Sequence, residues 1–427
     1  MNGACAIEVR VGGAWRRAAE IHVDDVAAGT SSPSRIEYDF DYLDAFDDAL
    51  GAIDLRAVSC RHPIGYEEAR LSTWPAFLLD LLPSGAARRW WERRLGVPNL
   101  PRHDWDLLVR GAGNPPGNVR IAEAAAELRP PGRHEGFERD EVLARGAEFI
   151  EYAHESGAYV AGGTGAGGDA PKLLLREDRA GRLHADGALP DPLTAKAWLV
   201  KFPRSRSAED RRVLESEAPY YRVAARLGAR VGELPTWERD ALFVPRFDRR
   251  VTGDEVEHLG LESLYSLAGI ADWGAPTPKE VLADALARCV GDPATELEEL
   301  LVRDVIDVAL GNTDNHGRNT AVSKTLDGAV ALSPIFDLAP MVLDPQGIAR
   351  VCRWEKEDGG FPDYAYVIGA LAPMGLPAAR ARRRLGELAD RIDRLPAMMQ
   401  AEGVPADVIA LLDRRMQRAA RDLQRIR

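Results

Sequence analysis

Three oxygen-bearing side chains, Asp314, Asn319 and Asp337, fall within one short stretch, Gly311 to Asp337, which reads GNTDNHGRNTAVSKTLDGAVALSPIFD. A helical run from Leu300 to Leu310 precedes it and is predicted to stop at Gly311. A polar knot, Asn312 to Asn319, then leads to a turn at Asp327-Gly328 and a short apolar strand expected to end at Asp337. A carboxylate that can take a hydroxyl proton, set across a hairpin from a second carboxylate, with an amide oxygen beside it, suits Mg²⁺-nucleotide phosphotransfer. Asp314 is then the base, and Asn319 and Asp337 offer oxygens to the metal. Each residue alone has a plainer explanation: Asp314 and Asn319 as a helix-end cap and turn, Asp337 as a strand-end turn. Those explanations leave unexplained why all three share one hairpin.

The elements that would position them lie upstream. Tyr159 to Leu175 (YVAGGTGAGGDAPKLLL) is a glycine-dense turn running into a strand. Its glycines, among them Gly165, Gly167 and Gly168, let backbone N–H groups approach phosphate closely. It is no Walker A loop, because Lys172 follows Pro171 and precedes a strand. A flexible surface turn is the competing explanation. Ala197 to Phe202 (AWLVKF) is a buried-looking strand carrying Lys201, a residue that either snorkels to the surface or holds α/β-phosphates. Glu209 to Leu227 is helical, with the helix proper able to begin near Pro219. Its Glu217 is placed to pair with Lys201. Ala241 to Phe247 is a further strand.

Composition bounds the rest. At 427 residues, with 45% apolar and 29% charged residues, the chain suits a soluble protein of two or three domains. No apolar run approaches a membrane span, and MNGACAIEVRVGGAWRR is no signal peptide. Four dispersed cysteines with no CxxC suit a reducing cytoplasm, and eight histidines show no zinc spacing. A formal charge of −12 argues against a general nucleic-acid binder. Ala6 to Val11 and Trp15 to Val23 read as a hairpin about Gly12-Gly13, Ile36 to Phe46 as a strand turning helical, and Leu71 to Gly96 as two helices broken at Pro83. His103 to Ile121 reads as a helix, a Gly/Pro turn and a strand; Leu128 to Gly136 reads as a linker and Glu138 to His154 as a helix. Beyond Thr252 the pattern is helical, including Leu261 to Ile270, Pro278 to Cys289 and Ala294 to Leu310. The expected domains are 1–135, 136–250 and 251–427.

The order glycine loop, strand lysine, helix glutamate, hinge strand, then an Asp/Asn/Asp set is that of a two-lobed kinase, although HRDxxxxN and DFG are missing. The wording resembles the HipA-like family of bacterial serine/threonine kinases, toxins of type II toxin–antitoxin systems. The motifs are LLPSG (Leu81 to Gly85), WDLLVRGAGNPPGNVRI, GGDAPK (Gly167 to Lys172), VPRFDR (Val244 to Arg249), and GNTDNHGRN with PIFDLAP. The resemblance implies an α+β, protein-kinase-like fold with an N-terminal β-rich subdomain and a helical C-terminal lobe. It implies ATP and Mg²⁺ as cofactors, Asp314 as base, Asn319 and Asp337 on the metal, Lys201 on the phosphates and His316 beside the nucleotide. Pro245 C=O and Phe247 N–H, two residues apart, match the edge of adenine, and proline removes only an N–H that is not needed. The family's partners imply a protein substrate, such as an aminoacyl-tRNA synthetase or another translation component, and an antitoxin that itself binds DNA. This chain shows no helix-turn-helix of its own, so no direct DNA binding is expected. Two departures stand out. The family's autophosphorylated loop serine aligns with Gly165, leaving Thr164 as the nearest hydroxyl, and Asp169 puts a carboxylate near the phosphates. Two rival readings are a non-catalytic kinase-fold partner of an antitoxin and a small-molecule phosphotransferase; the latter typically shows HxDxxxxN spacing.

Overall fold

A computed structural model describes residues 1–128, 135–145, 147–158 and 170–426. The N-terminal strands Gly3–Val11 and Ala14–Val23 form the expected hairpin, and Ser34–Tyr38, Ala69–Leu71 and Val119–Ile121 extend it into a five-stranded antiparallel sheet. Alternation decides its faces: Ile7, Val9, Ile21 and Val23 point to one side and pack on Leu78, Leu79, Leu107 and Leu108 of the covering helices.

A second five-stranded sheet carries part of the site. Its order is Leu183–Ala185, Lys172–Asp178, Thr194–Lys201, Ala241–Pro245 and Thr236–Glu238. Lys172 and Lys201 are direct cross-strand partners in it. The rest of the chain is mainly helical and packs round Pro293–Leu310, of whose 18 residues 13 are buried, so this helix is the axis of its core. Asp292 caps it by accepting the Thr295 N–H, Pro293 opens it, and Gly311 closes it at φ +69°.

Several elements depart from the sequence expectation. Leu261 to Ile270 is not one helix: Gly260–Ser263 is a strand paired antiparallel with Ala321–Lys324, and only Leu264–Ala268 is helical. The strand after Asp327-Gly328 stops at Leu332 rather than Asp337: the Ser333 N–H makes a last bond to Ala321 O, Pro334 has no N–H to give, and the Ile335 N–H turns to Arg230 O. The hinge strand ends at Pro245, not Phe247. The Glu209–Leu227 helix divides at Ser216 into Ala208–Glu215 and Glu217–Leu227, and the Glu138–His154 helix divides at Arg145, which adopts φ +50°. Residues 129–134 of the expected linker lie outside the described residues. Among those described, no helix is long and apolar enough to cross a membrane.

Candidate active site

Lys201 is the hub. Its strand is apolar on either side, and the side chain is only 3% exposed, so it does not snorkel. The Nζ donates to Glu217 Oε1 and to Asp337 Oδ1, each at 2.6 Å. Glu217 is equally buried because it opens the helix packed behind the sheet. Burial works against the Lys201 ammonium, but the two carboxylates outweigh it and hold its pKa above the ordinary lysine value.

Asp337 is reached from the helical side. Arg303 donates to Ser333 O at 2.6 Å and Glu296 accepts the Leu332 N–H at 2.8 Å, so the central helix grips the segment leading to it. The Asp337 backbone is held at φ +56°, and its N–H donates to Tyr221 Oη at 3.0 Å. A non-glycine residue in the left-handed region is uncommon and marks an imposed side-chain direction. Its Oδ2 lies 3.5 Å from Lys172 Nζ. Burial raises its pKa, but Lys172 and Lys201 overcome that and hold it at about 2, so it is ionised at neutral pH. Two lysines facing each other across a sheet repel, and Asp337 is the charge that makes the pair tolerable. Lys172 appears in GGDAPK, yet its part in the site becomes visible only through this register.

The catalytic-loop candidates follow Gly311. Asn312 Nδ2 donates to Asp307 at 2.9 Å and Asn315 Nδ2 to Cys352 O at 2.9 Å, which fixes the loop to the helical core. Gly317 is required, since a Cβ there would run into the Tyr265 ring. Asn319 Nδ2 donates to Asp314 O at 2.7 Å, leaving its buried Oδ1 with no hydrogen-bond partner. Asp314 lies 3.5 Å from His316 Nε2, and His316 stacks on Tyr265. Burial raises the Asp314 pKa, Asp337 adds to the shift, and His316 opposes it; burial lowers that of His316.

Two cavities meet at Lys201 and Asp337. One, of about 630 Å³, is lined by Lys172, Asp314, His316 and Arg318 on one side and by Ser84 and Arg88 of the N-terminal module on the other. The second is an apolar slot of about 60 Å³ between Leu174, Leu199, Val244 and Leu261, with Phe247 and Phe336 stacked 5.9 Å apart in its lining. The Arg246 N–H donates to Ala197 O, so the alternation of the strand turns Pro245 C=O to the opposite edge, and Phe247 follows in a turn that lines the slot. Lys201, Asp314, His316, Asp337, Pro245 and Phe247 therefore line one connected cleft. Asn319 lies behind it, beneath Asp314. Thr164, Gly165, Gly167 and Gly168 lie outside the described residues.

A HipA-like C-terminal domain matches residues 164–395, more than half of the chain, and a HipA N-terminal domain matches residues 19–122. The chain belongs to the HipA-like family. A relative, "Putative kinase Y4mE" of Sinorhizobium fredii (strain NBRC 101917 / NGR234), is 27% identical over 336 residues, covering 74% of this chain and 76% of its own. The HipA fold is seen in a Shewanella oneidensis MR-1 toxin–antitoxin complex of HipA, HipB and operator DNA: TM-score 0.66, 18% identity, 98% of this chain and 97% of that one. The Helicobacter pylori proinflammatory kinase CtkA is more distant, at TM-score 0.39 and 15% identity, covering 61% of this chain and 92% of that one. The expected α+β, two-lobed kinase-like architecture is thus the one observed.

Proposed function

We propose that this HipA-like chain is an ATP-dependent serine/threonine protein kinase that moves the γ-phosphoryl group of ATP to a protein hydroxyl. The observation that carries the reading is the buried Lys201 ammonium shared at 2.6 Å by Glu217 and Asp337, at the junction of an apolar slot and an open polar cavity. A nucleotide laid with its base in the slot, edge-on to Pro245 C=O and Phe247 N–H, brings its phosphates to Lys201 and Lys172.

The residues present fit Mg²⁺. Asn319 Oδ1 is a buried acceptor without a donor, and Asp337 is an ionised carboxylate. Mg²⁺ asks for one or two protein oxygens and completes its shell with phosphate and water. Asn319 and Asp337 would hold it, and when bound it neutralises phosphate charge. Asp314 receives the proton of the acceptor hydroxyl, and its raised pKa makes it a better base than an exposed aspartate. His316, kept neutral by burial, flanks it. The larger cavity takes the acceptor segment. The domain division 1–135, 136–250 and 251–427 belongs to this reading, with the nucleotide between the second and third parts.

A translation component as substrate and a DNA-binding antitoxin as partner are carried over from the family resemblance and, for the antitoxin, from the HipA–HipB–DNA complex of the Shewanella relative. The test is incubation of wild type and Asp314→Ala with Mg²⁺-ATP, alone and with a cell lysate, followed by intact-mass and phosphopeptide spectrometry. Phosphate transfer by wild type alone supports the reading. Equal transfer by both, or none with either, sinks it.

A further inference from the structure

The N-terminal module reaches the catalytic loop through one carboxylate. Asp80, 5% exposed, lies in the short Leu78–Leu81 helix. Its Oδ2 accepts the Ser263 N–H at 2.9 Å and its Oδ1 accepts the Ser263 hydroxyl at 2.7 Å. Ser263 ends the strand that pairs with Ala321–Lys324, directly opposite Ala321, and the next N–H, of Leu264, donates to Thr320 O. This is where the catalytic loop leaves the sheet.

The same Oδ1 lies 3.7 Å from Nε of Arg318, the residue before Asn319. Arg318 is 2% exposed; its guanidinium donates to Asp272 O and Trp273 O and stacks 4.6 Å from the Trp273 ring centroid. Among the described residues, Asp80 carries the only carboxylate within 4.0 Å of that guanidinium. The Arg318 Nε has no hydrogen-bond partner. A buried guanidinium is tolerated only beside an opposite charge, so removing that charge drives Arg318, and the loop it belongs to, toward a new position.

We infer that Asp80 is a positioning residue for the catalytic loop: by holding Ser263 and Arg318 at once, it fixes where Asn319 presents its Oδ1. This role presupposes the phosphotransfer reading, in which Asn319 is a metal ligand. Asp80 touches neither nucleotide nor acceptor; it acts through Arg318.

The test compares wild type, Asp80→Asn, Arg318→Gln and the double variant, reading ATP affinity with and without Mg²⁺, thermal melts and transfer kinetics. Asp80→Asn is expected to keep metal-free ATP affinity, since the slot and Lys201 are untouched, and to lose most of the increment that Mg²⁺ adds. Its kcat is expected to fall on the order of a hundredfold, the penalty of an ångström-scale displacement at a reacting centre. The double variant is expected to lose less than the sum of the two single losses, because both changes break the Asp80–Arg318 link, although Asp80→Asn also disturbs Ser263. Additive losses, an unchanged Mg²⁺ increment, or a parallel fall in metal-free affinity overturn the inference. Should Asp80→Asn fail to fold, Arg318→Gln alone decides: a selective loss of the increment supports it and an intact increment overturns it. A wild type that shows the increment but transfers no phosphate defeats the kinase reading alone, because the binding comparison still decides Asp80's role. A wild type without the increment overturns both.

Discussion

Lys201 and Asp337 stand 136 residues apart in the chain, and their Nζ and Oδ1 atoms meet at 2.6 Å in the cleft between the second sheet and the helical core. Lys201 also satisfies Glu217, so one ammonium balances two carboxylates at once. Lys201→Met strands Glu217 and leaves Asp337 with Lys172 alone, at 3.5 Å. Breaking a buried pair in this way costs about 3–5 kcal/mol. Denaturant unfolding of the nucleotide-free protein is expected to show that loss, and Lys201→Met/Glu217→Gln is expected to recover part of it. Equal stability of wild type and Lys201→Met would refute the hub.

Asp337 makes stability depend on acid. Its pKa falls from an ordinary 3.8 to about 2 in the fold. The unfolded chain therefore binds the proton more readily, and the contribution is complete above the unfolded value and lost as pH falls through about 2. The stability difference between wild type and Asp337→Asn is expected to shrink over that window. A difference that stays constant from neutral pH to below 2 would show that Asp337 is not the titrating group.

In the proposed phosphotransfer, Asp314 as the base sets the acid limb of the rate. A base must be unprotonated to accept, so turnover rises with pH through a pKa lying above that of an exposed aspartate. The limb belongs to Asp314 together with His316 and Asp337, which titrate under one another's influence. Asp314→Asn is expected to be flat and very slow across the same range while ATP affinity is retained. A mutant profile with the wild-type acid limb would transfer the role elsewhere.

The slot proposed for adenine is testable by filling it. Leu199 lines it and is only partly buried in its strand. Leu199→Trp is expected to reduce ATP affinity more than tenfold, with a stability change of about 1–3 kcal/mol typical of a crowded site. Calorimetric titration reads the first effect and a melt the second. Unchanged affinity would place the base elsewhere.

Gly317→Ala asks whether the loop tolerates displacement. The added methyl collides with the Tyr265 ring. Activity is expected to fall with a destabilisation of about 1–3 kcal/mol, the usual result of overpacking. Full activity would mean that the ring gives way and the loop does not.

What could be read from the chain were the local relationships. Lys201 in an apolar strand and Glu217 in the next helix are 16 residues apart, close enough for strand–helix packing to suggest their pairing, and the pair forms. Gly311 closes its helix and Asp327-Gly328 turns as their residue types require. What could not be read depends on distant partners. Leu261 to Ile270 carries apolar residues at helical spacing, yet Leu261 and Glu262 are strand because Ser323 and Val322 lie opposite. In LLDLL, Asp80 looks like a charge that merely interrupts an apolar run; its purpose is set by Ser263 and Arg318, far along the chain. Lys172 gains its meaning only when Asp337 folds against it.

The N-terminal sheet also reaches the back of the hinge. The Gly117 N–H donates to Asp248 at 2.8 Å, and Arg249 returns a bond to Gly117 O. Further on, Ser59 and Cys60 donate to Glu262, and Lys324 donates to Ala57 O. Whoever trims this protein at the proline- and glycine-rich stretch near residue 130 will not liberate a minimal catalytic fragment. The cut leaves Arg246 and Arg249 on Asp248 and the Glu262–Lys324 pair at 3.7 Å, but it takes a backbone or hydroxyl partner from each of the three, and the shortened chain would have to find water for those bonds.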